Sequence, residues 1–269
     1  MDRIWLLLAS SGVVFLSSLT VVDFASIPEA GIASAIAVAL FAAPSFASFI
    51  RWAGWKKGAM VLAVVGAAAT AVEGISVVTG IPYGKFSYSD ALGPLLLGTV
   101  PFALPLSYLP LLLGAVAVAL RVSGKDRLRT TFLSAAILVG FDLALDPGAV
   151  AAGLWAWEDP GVYYGVPATN YLGWATTGLA YSAAMLILLR KEIASRGMPP
   201  GASASAILTL SFWTGYLFKR GYFLPGTVGA ALIALVVYAA WFRAKGKRKP
   251  QHGAIQSFLV RFGALKRRV

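Results

Sequence analysis

The sequence predicts an all-α protein, a polytopic bundle of transmembrane helices, and three observations support this fold class. Of the 269 residues, 58% are apolar and 13% are charged, and the mean hydropathy is +0.76. A composition of this kind does not suit a water-exposed globular surface. The apolar residues also fall into runs of roughly 20, the length that a helix needs to cross the hydrocarbon core of a bilayer. We therefore expect an integral membrane protein.

The apolar runs predict eight membrane-spanning helices. The first run is longer than the apolar part of a secretory signal, and no small-residue cleavage site follows it, so we expect it to be retained. The seventh run is short and the fourth contains three prolines, which leaves seven spans and one re-entrant segment as the alternative. The predicted spans are residues 4–22, 30–50, 59–79, 101–120, 130–155, 171–189, 203–218 and 224–242.

The distribution of basic residues predicts how the bundle is oriented. With eight spans, the face that holds both termini carries 20 of the 23 lysines and arginines. The opposite face has Lys85, Lys219 and Arg220. Basic loops stay in the cytoplasm, so we expect a multi-pass protein of the cell membrane with both termini cytoplasmic. A membrane thus accounts for the net charge of +12, and we expect no nucleic-acid partner.

The chain is predicted to form one transmembrane domain, residues 1–243, followed by a basic tail, residues 244–269. Apolar residues between Ile255 and Leu265 fall on one helical face with basic residues around it. This pattern is typical of an interfacial amphipathic helix that binds anionic lipid, here at the cytoplasmic face. A disordered basic tail that merely enforces the orientation is the alternative interpretation.

The sequence lacks the residues that several kinds of catalysis and metal binding require. The chain contains no cysteine, and His252, in the basic tail, is its one histidine. Thiolate or histidine metal centres, haem ligation and Ser-His catalysis are therefore not expected. No glycine-rich phosphate fingerprint follows a strand pattern, which leaves nucleotide cofactors unsupported. We predict an activity that needs neither a metal nor a cofactor.

Three acidic residues lie inside predicted spans: Glu73, Asp142 and Asp146. A charged carboxylate at mid-membrane costs about 2.5 to 3.5 kcal/mol, so such residues usually have a function. Asp142 and Asp146 are four residues apart and share a helix face. The helix rise places Glu73 at a similar depth. We predict that the three carboxyl groups meet in a polar pocket, hold a proton there at neutral pH, and form the catalytic residues.

The second aspartate is followed directly by Pro147. A proline inside a helix donates no hydrogen bond, so the carbonyl of Leu143 loses its helical partner. This carbonyl needs another donor in the membrane, either a side chain or a water.

Aromatic residues concentrate in the two long connections beside these acids. An interfacial aromatic belt is the plain interpretation. Their concentration in two segments that are also rich in Gly and Pro favours a shaped binding site as well. The candidate substrate-binding residues are Tyr83, Phe86, Tyr88, Trp155, Trp157, Tyr163, Tyr164, Asn170, Tyr171 and Trp174.

Two segments carry a resemblance to a known family. "GIPYGKFSYSDALGPLLLGTVPFALPLSYLP" (80–110) and "DLALDPGAVAAGLWAWEDPGVYYGVPATNYLGW" (142–174) resemble the signature blocks of the carotenoid 1,2-hydratase family, which includes bisanhydrobacterioruberin and γ-carotene hydratases. The elements D-x-x-x-D-P, W-x-W, Y-Y-G-x-P and N-Y-x-G-W are specific in combination. "LPLSY" and Tyr83 depart from the expected pattern, and the departures bear on substrate identity more than on reaction class.

The resemblance implies that water is added across the terminal C1=C2 bond of an acyclic carotenoid, of the lycopene or bacterioruberin type, to give a tertiary alcohol. One aspartate would protonate the alkene, and the other acid or Glu73 would orient the water. Aromatic faces would offset the charge of the intermediate cation. The partners implied are a membrane-embedded carotenoid and other enzymes of the carotenoid pathway, and the sequence does not indicate an oligomeric state.

Three other functions fit parts of the sequence. Membrane prenyltransferases use a D-x-x-x-D motif to hold Mg²⁺ against a diphosphate, but they need a second Asp-rich motif and nearby basic residues. A proton-coupled transporter also has intramembrane carboxyl groups and interrupted helices. A noncatalytic carotenoid-binding protein would use the same aromatic residues.

Overall fold

The computed structural model describes residues 2–21, 30–124 and 126–242, which form a bundle of helices. Each of the eight predicted spans coincides with one long helix, and a short helix, α7, is additional. The helices are α1 (Asp2–Ser18), α2 (Ala30–Ala53), α3 (Trp55–Thr79), α4 (Leu104–Ser123), α5 (Arg127–Ala151), α6 (Ala168–Leu188), α7 (Arg190–Arg196), α8 (Ala204–Lys219) and α9 (Phe223–Val237), which a π-helical turn (Tyr238–Phe242) extends.

Within the described residues, six helices are long and apolar enough to cross a membrane: α2 to α6 and α9 with its π-helical extension. Helices α1 and α8 are shorter than these six, with 17 and 16 residues. The count of eight spans and the cytoplasmic position of the termini therefore stay predictions. The proposed interfacial helix after residue 243 lies outside the described residues.

Several predicted helix boundaries are displaced by three or four residues, and at two of them a strand contains residues that were expected to be helical. The fourth span was expected to start at Pro101, but strand β3 (Val100–Pro101) pairs with β2 (Leu95–Leu96), and α4 begins at Leu104. The fifth span was expected to reach Trp155, but α5 ends at Ala151. Hydropathy cannot separate a buried apolar strand from the end of a helix, which explains both errors.

Helix α4 is the centre of the bundle. Every residue from Tyr108 to Ala119 is buried, and α4 packs against α2, α3, α5, α6 and α8. Close packing against the end of α8 depends on Gly114, since a Cβ there would lie 2.9 Å from the Cβ of Ala206. Helix α5 packs on α4, α6, α8 and α9, so its inward face is shielded from lipid.

The two aromatic connections pair with each other, which the sequence did not predict. Strand β1 (Phe86–Tyr88) runs antiparallel to β4 (Trp155–Trp157), with Phe86 opposite Trp157 and Tyr88 opposite Trp155. Successive side chains on a strand point to opposite faces. All four aromatic residues therefore share one face of this aromatic ribbon, and Ser87 and Ala156 occupy the exposed face.

Backbone hydrogen bonds continue the pairing at both ends of the aromatic ribbon. The amide of Ser89 donates to the carbonyl of Leu154 at 2.9 Å, and the amide of Glu158 donates to the carbonyl of Lys85 at 2.9 Å. The side chains of Lys85 and Glu158 also form an exposed ion pair at 2.9 Å, which contributes at most about 1 kcal/mol. The ribbon thus ties the end of α3 to the end of α5.

Candidate active site

The two aspartates of α5 share one hydrogen-bond donor. The side-chain amide of Asn170, on α6, donates to Oδ2 of Asp142 at 2.7 Å and to Oδ2 of Asp146 at 2.6 Å. Asp142 is fully buried and Asp146 is 3% exposed. Oδ1 of Asp142 is buried and has no hydrogen-bond partner in the described structure. One helical turn therefore brings the two carboxyl groups together, and α6 supplies the group that bridges them.

Glu73 lies six residues before the end of α3, close to the aromatic ribbon. The hydroxyl of Tyr88, on β1, donates to Oε1 of Glu73 at 2.5 Å. Burial raises the pKa of Tyr88 well above its ordinary value, and the nearby Glu73 raises it further. This phenol therefore remains a hydrogen-bond donor throughout the neutral range. The ribbon therefore positions the third carboxyl group.

A cavity of 430 Å³ lies between the aromatic ribbon and helices α2, α3, α4, α5, α6 and α8, and we call it the acid cavity. Its volume is in the range of small-molecule sites. The polar groups on its wall include Glu73, Asp146 and Asn170, and most of the remaining lining is apolar. Seven of the ten candidate substrate-binding residues also line it: Tyr83, Phe86, Tyr88, Trp155, Trp157, Asn170 and Trp174.

Tyr83 fixes the connection between α3 and the aromatic ribbon. Its hydroxyl donates to Oγ1 of Thr177 at 3.1 Å, and its carbonyl accepts from the indole nitrogen of Trp157 at 2.9 Å. Gly173 on α6 makes room for this ring, because a Cβ there would lie 2.3 Å from Cδ1 of Tyr83. The glycine of the N-Y-x-G-W element is therefore required by the close approach of Tyr83.

The other three candidate substrate-binding residues do not line the acid cavity. The hydroxyl of Tyr163 donates to the carbonyl of Leu143 at 3.0 Å, and the ring of Tyr163 contacts both Tyr164 and Tyr171. Tyr164 packs on Tyr222, with 4.7 Å between ring centroids. The structure places these three tyrosines in a cluster that connects α5 to α6, through the bond to Leu143 and the contact with Tyr171.

Four aromatic residues of the acid cavity were not identified from the sequence: Phe41, Tyr108, Phe212 and Trp213. Tyr108 lies on α4 and Trp213 on α8. Trp213 packs directly on the helix that carries the aspartates, because Gly148 has no side chain: a Cβ there would lie 2.5 Å from Cε3 of Trp213. Both residues lie within apolar helices, where an aromatic side chain by itself gives no distinguishing pattern. Tyr108 could have been noticed because it falls in the quoted block 80–110.

The arrangement suits proton transfer to an apolar ligand. Two of the three acids lie on the cavity wall, and Asp142 bonds to Asn170, which also lines the cavity. The described lining contains no lysine or arginine. In the part of the chain that the structure describes, no group of three His, Cys, Asp or Glu side chains is placed to hold a metal ion.

Comparison with known proteins relates most of the chain to one family. A family model described as "Carotenoid biosynthesis protein" matches residues 29–236. Over 112 residues, or 40% of this chain, the sequence is 47% identical to the bisanhydrobacterioruberin hydratase of Haloarcula japonica. The aligned part covers 37% of the length of that relative. No solved structure matches this chain.

Proposed function

This chain belongs to the carotenoid biosynthesis protein family, and from that membership we propose that it is a hydratase that adds water to the terminal C1=C2 bond of an acyclic carotenoid. One observation carries the proposal: two carboxyl groups, bridged by Asn170, stand beside an apolar cavity that is walled by aromatic rings. Hydration of an isolated alkene needs a strong proton donor, a stabilised cation and a bound water, and needs no redox cofactor.

Asp146 is the proposed proton donor. It lines the acid cavity, whereas Asp142 is fully buried and bonds to the same amide. A buried, neutral carboxylic acid can donate its proton to C2, the less substituted carbon, which leaves the positive charge on the tertiary carbon C1. Asp142 is proposed to keep Asp146 protonated, because two adjacent carboxyl groups cannot both be charged at low cost.

The aromatic wall would stabilise the cation. Phe86 contacts Tyr88, with 5.2 Å between ring centroids, and Tyr88 contacts Trp155 at 5.9 Å. Ring faces attract a desolvated cation by about 2 kcal/mol each. Because packing fixes these rings, they need no reorganisation as the charge develops.

Glu73 is proposed to accept the proton of the attacking water. Tyr88 occupies Oε1 of this carboxyl group, and the carboxyl lines the acid cavity. Water would attack C1, the C–O bond would form, and one O–H bond would break toward Glu73. Before the next turnover this proton returns to Asp146, so the net reaction is one alkene plus one water giving one tertiary alcohol.

The family and the lining of the cavity support the proposed substrate class. The curated relative is named for hydration of bisanhydrobacterioruberin, an activity that we extend to this chain as hydration of the same kind of end group. A carotenoid would enter from the bilayer and place one end in the acid cavity. Prenyl transfer is disfavoured, because a diphosphate needs basic residues that the described lining lacks.

Expression in a lycopene-producing bacterium, followed by chromatography and mass spectrometry of the pigments, tests the proposed function. The wild-type chain should add one water per processed end, and washed membranes should carry out the reaction without added metal or cofactor. Asp142→Asn and Asp146→Asn are each expected to abolish the product while the protein remains in the membrane. Asp159→Asn, at an exposed loop acid, is the matched control and should leave hydration unchanged.

Other outcomes identify the alternatives. Full conversion by Asp146→Asn would overturn the role of this acid. Consumption of a prenyl diphosphate only with Mg²⁺ would replace the hydratase by a transferase, and proton-driven solute uptake by reconstituted vesicles would replace it by a transporter.

A further inference from the structure

Tyr108 lines the acid cavity, and its hydroxyl is a buried polar group without a hydrogen-bond partner in the described structure. The residue as a whole is 8% exposed. Buried hydroxyl groups nearly always have a partner, from the protein or from an ordered water. The adjoining acid cavity, at 430 Å³ and with polar groups on its wall, has room for a water.

The phenols around Tyr108 are already engaged. The hydroxyl of Tyr83 donates to Thr177, that of Tyr88 donates to Glu73, and that of Tyr181 donates to the carbonyl of Ala68 at 3.3 Å. Within this group of four tyrosines, therefore, only the hydroxyl of Tyr108 is left for a ligand in the structure described.

The ring of Tyr108 is held rigidly. It lies 5.4 Å from the ring of Trp174 and 5.8 Å from that of Tyr181, measured between centroids, and both neighbours are on α6. Because the ring cannot move away, the hydroxyl keeps one position on the cavity wall. A fixed donor orients a bound water without an entropic cost during the reaction.

Glu73 is the acid that could share a water with Tyr108, because both residues line the same cavity. A water between them could donate to the Glu73 carboxylate and bond to the phenol. We propose that Tyr108 binds the attacking water on the α4 side of the acid cavity, as a subsite separate from the proton donor Asp146. This inference rests on the proposed hydratase function.

The water subsite at Tyr108 is expected to affect which reaction the cation undergoes. Once C2 has received a proton, the cation has two exits: water adds at C1 and gives the alcohol, or a proton leaves C2 and the alkene is restored. Loss of the water subsite would slow the first exit and leave the second intact. In D₂O, C2 of the cation carries one hydrogen and one deuterium, so the second exit leaves deuterium at C2 of the recovered carotenoid whenever the hydrogen is the one lost.

The experiment measures both exits. Membranes that contain the wild-type chain or Tyr108→Phe are incubated in D₂O with lycopene, and the ratio of hydrated product to deuterated lycopene is determined by mass spectrometry. Tyr108→Phe should lower this ratio about tenfold, as expected for one lost hydrogen bond to the reacting water. The variant should fold, because the missing hydroxyl has no protein partner in the described structure. Tyr238→Phe, at an exposed tyrosine outside the acid cavity, is the matched control and should keep the wild-type ratio.

Asp146→Asn distinguishes the proton donor from the water subsite, because this variant should form neither the hydrated product nor deuterated lycopene. An unchanged ratio in Tyr108→Phe, with normal hydration by the wild-type chain, would overturn the water subsite and leave the hydratase standing. Absence of hydrate from the wild-type chain itself would overturn the proposed function and the subsite with it.

Discussion

The phenol of Tyr163 donates a hydrogen bond to the main-chain carbonyl of Leu143, at a distance of 3.0 Å. This is the carbonyl that Pro147 leaves without its helical partner, four residues later in α5. The helix therefore continues through the proline without an orphaned acceptor, and the Asp pair on either side of Leu143 keeps its geometry. Tyr163 stabilises the site from outside the acid cavity.

Tyr163→Phe should destabilise the protein without changing its product. The substitution leaves the Leu143 carbonyl unpaired in an apolar environment, for which we expect a loss of about 1 kcal/mol in the free energy of unfolding. Denaturant unfolding in a mild detergent measures the effect. Tyr238→Phe, at an exposed tyrosine, is the matched control and should show no loss. Equal stability of the two variants would contradict the role assigned to Tyr163.

The sequence predicted the helices and the acid pair because both depend on local patterns. Apolar runs identify the helices, and a spacing of four residues places Asp142 and Asp146 on one face. The need of the Leu143 carbonyl for a donor was also predictable, but the identity of that donor was not. Tyr163 lies 20 residues away, in a connection whose path depends on tertiary packing.

The pairing of the aromatic ribbon could not be predicted for a related reason. Strands β1 and β4 have three residues each, too few for an alternating pattern to be distinguished from an irregular loop. Phe86 and Trp157 are distant in sequence, so their register depends on where α3 and α5 end. Tyr108 was not selected as a site residue because one aromatic residue in a mostly apolar helix gives no distinguishing pattern.

Tyr88→Phe should lower the rate of hydration about tenfold while the protein remains folded. The phenylalanine keeps the contacts with Phe86 and Trp155, but Oε1 of Glu73 loses its donor at 2.5 Å. Without this bond the carboxyl group is no longer held toward the water, and one hydrogen bond to a charged group accounts for a change of this size. Initial rates in isolated membranes, normalised to the amount of protein, measure the effect.

Tyr222→Phe provides the comparison for Tyr88→Phe, because Tyr222 packs on Tyr164 and does not line the acid cavity. It should keep the wild-type rate. A normal rate in Tyr88→Phe would mean that Glu73 does not need this donor, and the proposed role of Glu73 as proton acceptor would lose its support.

Asn170→Leu should reduce both the stability and the rate of hydration, because it removes the donor that bridges the two aspartates. Leucine has a similar size, so the change is mainly the loss of the bonds at 2.7 and 2.6 Å. Leaving buried acceptors without a donor costs about 1 to 3 kcal/mol. Thermal unfolding and initial rates are measured for Asn170→Leu, Asp142→Asn and the double variant.

A shared function of Asn170 and Asp142 predicts non-additivity in these three variants. Residues in one hydrogen-bond network couple, whereas independent residues give additive changes. The double variant should therefore lose less stability than the sum of the single losses. Strict additivity would indicate that Asn170 acts on the rest of the site rather than through this acid.

Gly173→Ala tests whether the approach of α6 to the aromatic ribbon controls the site. A Cβ at this position would lie 2.3 Å from Cδ1 of Tyr83 and 2.9 Å from the carbonyl oxygen of Pro82, and the second contact is with backbone that cannot move freely. The ring and its loop must shift, which should cost about 1 to 3 kcal/mol. Because Trp157 bonds to the carbonyl of Tyr83, the shift should reach the aromatic ribbon and lower the rate of hydration.

Gly12→Ala separates this steric effect from the general effect of replacing a glycine in a helix. Gly12 lies within α1, and nothing stands within 4 Å of the position of its Cβ. Alanine favours the helix by up to about 1 kcal/mol over glycine, so Gly12→Ala should be neutral or stabilising. Both variants are compared by thermal unfolding in detergent and by hydration in membranes. If Gly173→Ala also matched the wild-type chain in both measurements, the close contact with Tyr83 would not determine the geometry of the acid cavity.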